Sequence, residues 1–236
     1  MLKMNDRERL GNFEEQQYIS FGPSCISAEI LKACNLRFCT FGFDWFRSGS
    51  FHHSLFFRMN LKDFLNFQVN NISIPLRQTE NPEKLSNITS EYSELKQLYG
   101  YNVLYNPHRA YNKNSFRYYK RAFERLALRL NKNKKEFKEP TLLMADYLNK
   151  NHYIYFNDTG KAAAYLRYNC LLRFNYMPRV KIVRFKLVED EALYNESLLE
   201  IAKEHHMEYT IPLSHSIDKD TRIRRMFYKS LSDIFS

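Results

Sequence analysis

Tyr18-Ile-Ser-Phe-Gly-Pro-Ser-Cys25-Ile-Ser-Ala-Glu-Ile-Leu-Lys32 is the stretch on which the reading of the fold turns. The apolar run Tyr18–Phe21 has the length and composition of a buried strand, and Gly22-Pro23 ends it. Ser24 can then cap a helix that buries Ile26, Ile30, Leu31 and Cys34. Cys25 falls in the first turn of that helix. Unpaired N–H groups and the positive end of the helix dipole favour a thiolate at such a place, drawing a thiol pKa from about 8.5 toward neutrality. The segment reads as a seat for a thiol nucleophile; the competing reading is a small buried apolar residue.

Working outward, Asn35 suits the left-handed residue that closes the helix. Leu36–Ser50 sets aromatics around a single acid, Asp44, and reads as a shaped loop. Ser50 can cap a short helix over 51–58 and Asn60 another over 61–65, while the polar stretch 68–90 reads as irregular with a strand at Ile72–Leu76. A short helix over 92–99 and a strand at Val103–Tyr105 follow, the latter delivering His108 just past Pro107. The clearest periodic element is a helix over 114–131, with Phe116, Tyr119, Phe123, Leu126 and Leu130 on one face. On another face Arg117, Arg121, Arg125 and Arg129 recur every four residues, joined by Lys120 and Lys132.

Beyond a charged linker the pattern predicts strands at 141–145, 153–156, 180–188 and 208–213, and helices over 159–174, 190–204 and 218–235. The last is basic and amphipathic, with Ile223, Phe227, Leu231 and Ile234 as its apolar positions. This alternation predicts a polar lead-in over 1–16 and a single α/β domain over 17–236, with a loop-rich insertion at about 36–112. The domain is expected to be a three-layer sandwich, a mainly parallel central sheet flanked by helices. In such folds sites gather at the carboxyl ends of strands, and Cys25, His108 and Asp146 each follow a predicted strand.

A chain of 236 residues, 44 % hydrophobic, can build a core without disulfides or metals. Cysteines stand at 25, 34, 39 and 170 with no C-x-x-C pair, and the N-terminus has no apolar core of a signal peptide. No run approaches the roughly 18 apolar residues of a membrane helix. These features predict a soluble, thiol-reduced, cytoplasmic protein. The net charge of +10 admits acidic partners, although a bias toward Asn, Lys, Tyr, Phe and Ile throughout the chain raises charge without any partner. Nucleic acid is disfavoured, because the aromatics of the 114–131 helix fall on its apolar side instead of among the basic residues. No His or Cys pair has metal-ligand spacing, and Gly160-Lys161 lacks the upstream glycine of a phosphate loop.

A thiol nucleophile needs a base, and the base needs an orienting group. Of the seven histidines His108 is preferred, in a loop after a strand, though a plain surface histidine is the competing reading. His52-His53 and His205-His206 read as residues on solvated helical faces, with His152 and His215 as weaker rivals. Asp44, alone among aromatics, is the third member, to be paired by an imidazole or by Arg47; Asp146 is the alternative acid, and a turn-forming role competes for Asp44. Ser24 and Trp45 are expected at the substrate, and Arg117, Lys120, Arg121 and Arg125 suit phosphate, carboxylate or acidic sugar groups if their stripe borders the cleft.

Ile19-Ser-Phe-Gly-Pro-Ser-Cys25 with Ala28 and Leu31, then Leu36-Arg37, Phe43-Asp44-Trp45, Ser48, His108, Tyr119-Lys120-Arg121 and Glu124-Arg125 together resemble a bacterial and viral family of papain-like cysteine peptidases. The ordered match covers roughly residues 17–145. The resemblance implies Cys25 as nucleophile and His108 as base. The family usually has Leu, Asn and Asp where this chain has Phe21, Ser24 and Arg109, and a basic residue where it has Ala122. The strand–Gly–Cys–helix opening is also similar to capsule-biosynthesis proteins with a Gly-Asn-Cys motif, which implies acyl transfer to a surface polysaccharide, with coenzyme A as acyl donor. Two classes of function follow: a thiol hydrolase or acyltransferase, and a non-catalytic binding module for an anionic glycan or nucleotide.

Overall fold

In the computed structural model the described residues are 16–23, 25–44, 48, 53, 56–65, 113–131, 139–147, 159–188, 199–203 and 206–235. Five strands form one sheet: β1 (Tyr18–Pro23), β2 (Thr141–Tyr147), β3 (Arg179–Val188), β4 (Leu199–Lys203) and β5 (His206–Ser214), in the order β1-β2-β3-β5-β4. β1, β2, β3 and β5 run parallel, and β4 pairs antiparallel to β5 at the edge. The helices include α1 (Ile26–Ala33), α2 (Lys113–Asn131), α3 (Thr159–Phe174), α4 (His215–Lys219) and α5 (Thr221–Ser230), followed by a 3-10 turn at Leu231–Phe235; residues 56–58 and 61–65 are helical as well. This is the three-layer α/β arrangement expected from the strand–helix alternation.

Period-2 alternation divides the core. Ile19 and Phe21 of β1, Leu142 and Met144 of β2, and Val180 and Ile182 of β3 face the layer of α2 and α3. Tyr18, Leu143, Ala145, Val183 and Phe185 face the other way, toward α1, α5 and the C-terminal turn. Parallel strands laid down in one direction put right-handed crossovers on one face, so α2 and α3 share a layer. Leu36 packs with the α1 layer, whereas Phe41 and Phe43 lie in the α2 layer. Residues 36–44 thus carry the chain around the β1 side of the sheet, from one layer to the other.

That wrap is pinned at both ends. Gln16, the last residue of the predicted lead-in, is buried; its amide donates to the Tyr18 carbonyl and its Oε1 accepts the N–H groups of Phe38 and Cys39. Gly42 lies so close to α2 that a Cβ on it would stand 2.2 Å from the Phe123 ring. Phe21, Phe43, Phe56, Phe64 and Phe123 then form one aromatic cluster, with ring centroids 4.8 to 5.9 Å apart. Each such ring contributes about 2–3 kcal/mol by leaving water.

Two expected elements differ. Leu199–Lys203, inside the predicted 190–204 helix, is strand β4, because hairpin pairing with β5 outweighs the helix propensity of Leu, Glu, Ala and Lys. The predicted 218–235 helix is broken: Asp220 is extended and caps α5 by accepting the N–H groups of Arg222 and Ile223, and the end tightens to a 3-10 turn. Ile223, an expected core position of that helix, is 47 % exposed, and the buried residue there is Tyr228. The expected elements at 72–76, 92–99, 103–105 and 153–156 lie outside the described residues.

Candidate functional site

β1 ends in a turn that its sequence makes obligatory. Gly22 takes φ 76, a left-handed conformation costly for any residue with a side chain. Cys25 follows as the N-cap of α1, with φ −65 and ψ −11, and its carbonyl already accepts the Glu29 N–H at 2.9 Å. The half-buried Cys25 therefore stands at the carboxyl end of a parallel strand and at the start of an eight-residue helix. Ile26, Ile30 and Leu31 are buried as the sequence predicts, Cys34 is only half-buried, and Asn35, at φ 58, closes the helix. Ser24, Trp45 and His108 lie outside the described residues.

Asp44 is 1 % exposed, and among the described residues its charged partner is Arg37; Arg47, the cation expected there, lies outside the described residues. Arg37 Nε and Nη2 donate to Asp44 Oδ2 at 2.8 and 2.7 Å, and the Phe41 N–H donates to the same oxygen at 3.1 Å. Burial raises the carboxyl above the ordinary aspartate value, against the opposing pull of Arg37, Phe41 and Ser20. Arg37 Nη2 and Tyr118 also donate to Thr40 Oγ1. Asp44 is thus the centre of the knot that shapes the 36–44 wrap.

The basic stripe of α2 divides. Arg125 donates twice to the Thr40 carbonyl, at 2.9 and 2.7 Å, and the buried Arg129 donates to the Gln16 carbonyl at 3.2 Å. These two cations hold backbone. Arg117, Lys120 and Arg121 are exposed, with Lys120 facing Glu124 at 3.8 Å. Because Arg129 meets Gln16, two residues before β1, the amino half of α2 points toward the carboxyl ends of the strands, the end that bears Cys25.

A histidine read as solvated is instead buried. His53 is 2 % exposed, with its ring 4.7 Å from both Phe21 and Phe43 in edge-type contacts. Its Nε2 lies 3.2 Å from the hydroxyl of Ser48, itself 3 % exposed. The pair sits on the β1 turn: a Cβ at Gly22 would stand 2.2 Å from Ser48 Oγ and 3.6 Å from His53 Nε2. A signal for this was present, since His53 shares a helical face with Phe56 and Phe57 at i+3 and i+4, both buried.

All four cysteines are thiols. Burial pushes Cys39 up to about 11 and raises Cys34 and Cys170 above the ordinary thiol value. Asp146 stands in β2 opposite Arg184. Among the described residues no cluster of three or more His, Cys, Asp or Glu is placed to hold a metal ion, and no helix is long and apolar enough to cross a membrane. Compared with known protein families, curated proteins and solved structures, the chain matches none.

Proposed function

We propose that the chain is a cysteine-nucleophile hydrolase acting on an acyl, ester or amide bond, of the kind its resemblance to papain-like cysteine peptidases implies. The observation that carries the reading is the position of Cys25, a half-buried thiol between the carboxyl end of a parallel strand and the first turn of a helix. The helix dipole favours negative charge there, both on the sulfur and on an oxyanion formed beside it. Cys25 Sγ attacks the carbonyl carbon, and N–H groups around residues 22–26 meet the oxyanion. The tetrahedral adduct collapses to a thioester, expelling an alcohol or amine, and water releases the acid. A histidine takes the thiol proton and returns it to the leaving group, the role assigned to His108 by the resemblance. Asp44 supports the site by holding Arg37 and the 36–44 wrap.

A second reading is favoured by the exposed Arg117 and Arg121 on the strand-end half of α2. They suit an anionic acyl donor such as coenzyme A, with a sugar hydroxyl replacing water as acceptor. A non-catalytic module for an anionic glycan or nucleotide would use the same cations with an inert thiol.

Alkylation by iodoacetamide, followed cysteine by cysteine with peptide mass spectrometry, tests the first reading. Cys25 is expected to label in the folded chain well ahead of Cys34, Cys39 and Cys170. If Cys25 resists the reagent until the chain unfolds, the catalytic reading fails and the binding module takes its place.

A further inference from the structure

We propose that Ser48 and His53 form a proton relay for the β1–α1 turn, Ser48 meeting the Cys25 thiol or the group reacting there and His53 acting behind it as the positioning residue. The inference rests on the reading of Cys25 as nucleophile and assigns its proton acceptor to residues other than His108.

Three observations converge on it. First, the Ser48 hydroxyl occupies the space that a side chain at Gly22 would fill. Gly22 precedes Cys25 by three residues, which a chain spans in no more than about 11 Å, and the left-handed turn shortens that reach. Second, the hydroxyl is within hydrogen-bond distance of an imidazole nitrogen, 3.2 Å from His53 Nε2, the geometry that lets an imidazole withdraw a hydroxyl proton. Third, accessibility separates the roles. Cys25 is half-buried, whereas Ser48 and His53 are 3 % and 2 % exposed.

The surroundings of His53 fit the task. The Phe21 and Phe43 rings fix the plane of the imidazole, and aromatic rings within about 6 Å of a cation stabilise it. The charged groups on the wrap packed against it, Arg37 and Asp44, are paired with each other. The imidazolium at His53 and the thiolate at Cys25 form together, so the step creates no net charge. In the step itself, the Cys25 S–H proton passes to Ser48 Oγ while the Ser48 proton passes to His53 Nε2. The result is a thiolate, a neutral hydroxyl and an imidazolium. The reverse transfer delivers the proton to the departing alcohol or amine, so no further reagent is needed.

The test is the rate of Cys25 alkylation as a function of pH in the full chain and in Ser48→Ala, His53→Gln and His108→Ala. Glutamine at 53 can still hydrogen-bond Ser48 but cannot take a proton, so a purely structural role survives that change and a relay does not. The relay predicts that Ser48→Ala and His53→Gln each slow Cys25 labelling at pH 7 about tenfold and move the midpoint of the rate–pH curve up by about one unit, with the native rate regained at high pH. Should His53→Gln fail to fold, Ser48→Ala, which leaves the aromatic cluster intact, decides alone. Labelling at the native rate in both relay variants overturns the relay, and if His108→Ala alone slows it, the nucleophile reading stands with His108 as its base. A native Cys25 that never labels while folded removes the nucleophile reading and the relay with it.

Discussion

Replacing Asp44 by alanine should be among the most damaging single changes in the chain. The carboxylate accepts three N–H donors on one oxygen, two from Arg37 and one from Phe41, in a place where water cannot substitute. Alanine takes the Asp44 carboxylate away from a guanidinium whose side chain is only 10 % exposed and strands the Phe41 N–H. Removing one partner of a buried pair costs about 3–5 kcal/mol, a large part of the roughly 5–15 kcal/mol by which domains are stable. With a urea slope of about 3 kcal/mol/M, the unfolding midpoint should fall by about 1–2 M. Because burial raises the Asp44 carboxyl, a neutral acceptor is tolerated there, and Asp44→Asn should lose less than Asp44→Ala. The sign with pH follows from the same shift. A raised folded value adds stability that is complete below the unfolded aspartate value of about 3.9 and is lost as pH rises through the folded value. The native chain should therefore gain on Asp44→Asn as pH falls. A loss below about 1 kcal/mol in Asp44→Ala, or an Asp44→Asn just as damaged at pH 7, would refute this account of the wrap.

Gly42→Ala should lower the urea midpoint by an amount equivalent to about 1–3 kcal/mol, because the new methyl meets the Phe123 ring; an unchanged midpoint would mean that α2 is not so close. Cys39, raised from 9.0 to about 11 by burial, should alkylate only as pH approaches 11, with about one thiol in a thousand ionised at pH 8. Its contribution to stability is present below pH 9 and lost as pH rises through about 11, so Cys39→Ala should flatten the alkaline fall in stability; half-maximal alkylation near pH 9 would contradict this.

The sequence was most legible where local pattern and tertiary demand agree. The 3.6-residue period of 114–131 and the breaker after Phe21 needed no knowledge of partners, and Asn35 took the left-handed conformation its side chain tolerates. Leu199–Lys203 was illegible because an edge strand is made by its neighbour, and nothing in Leu-Glu-Ile-Ala-Lys announces β5. Asp220 could have been read as a cap, since Asp before a run of helix formers is a starting signal; the periodicity of the apolar residues on either side concealed it. At the site, the thiol and its turn were visible from the local order of residues, an apolar run, Gly22-Pro23 and then Cys25. The partner of Asp44 was not, because Arg37 reaches it through the shape of a loop that has no sequence period. Nor was the Ser48–His53 pair, which depends on a missing side chain at Gly22 and on two aromatic rings from different segments.

The central claim is that Cys25 is a nucleophile, and the most direct measurement is a search for its acyl adduct. The chain is mixed with p-nitrophenyl acetate, nitrophenolate release is followed by absorbance, and the quenched protein is digested for peptide mass spectrometry. The account predicts an initial burst of nitrophenolate, an acetyl group on the peptide that carries Cys25, and loss of both in Cys25→Ala. An undiminished burst in Cys25→Ala, or acetyl groups only on other residues, would contradict it.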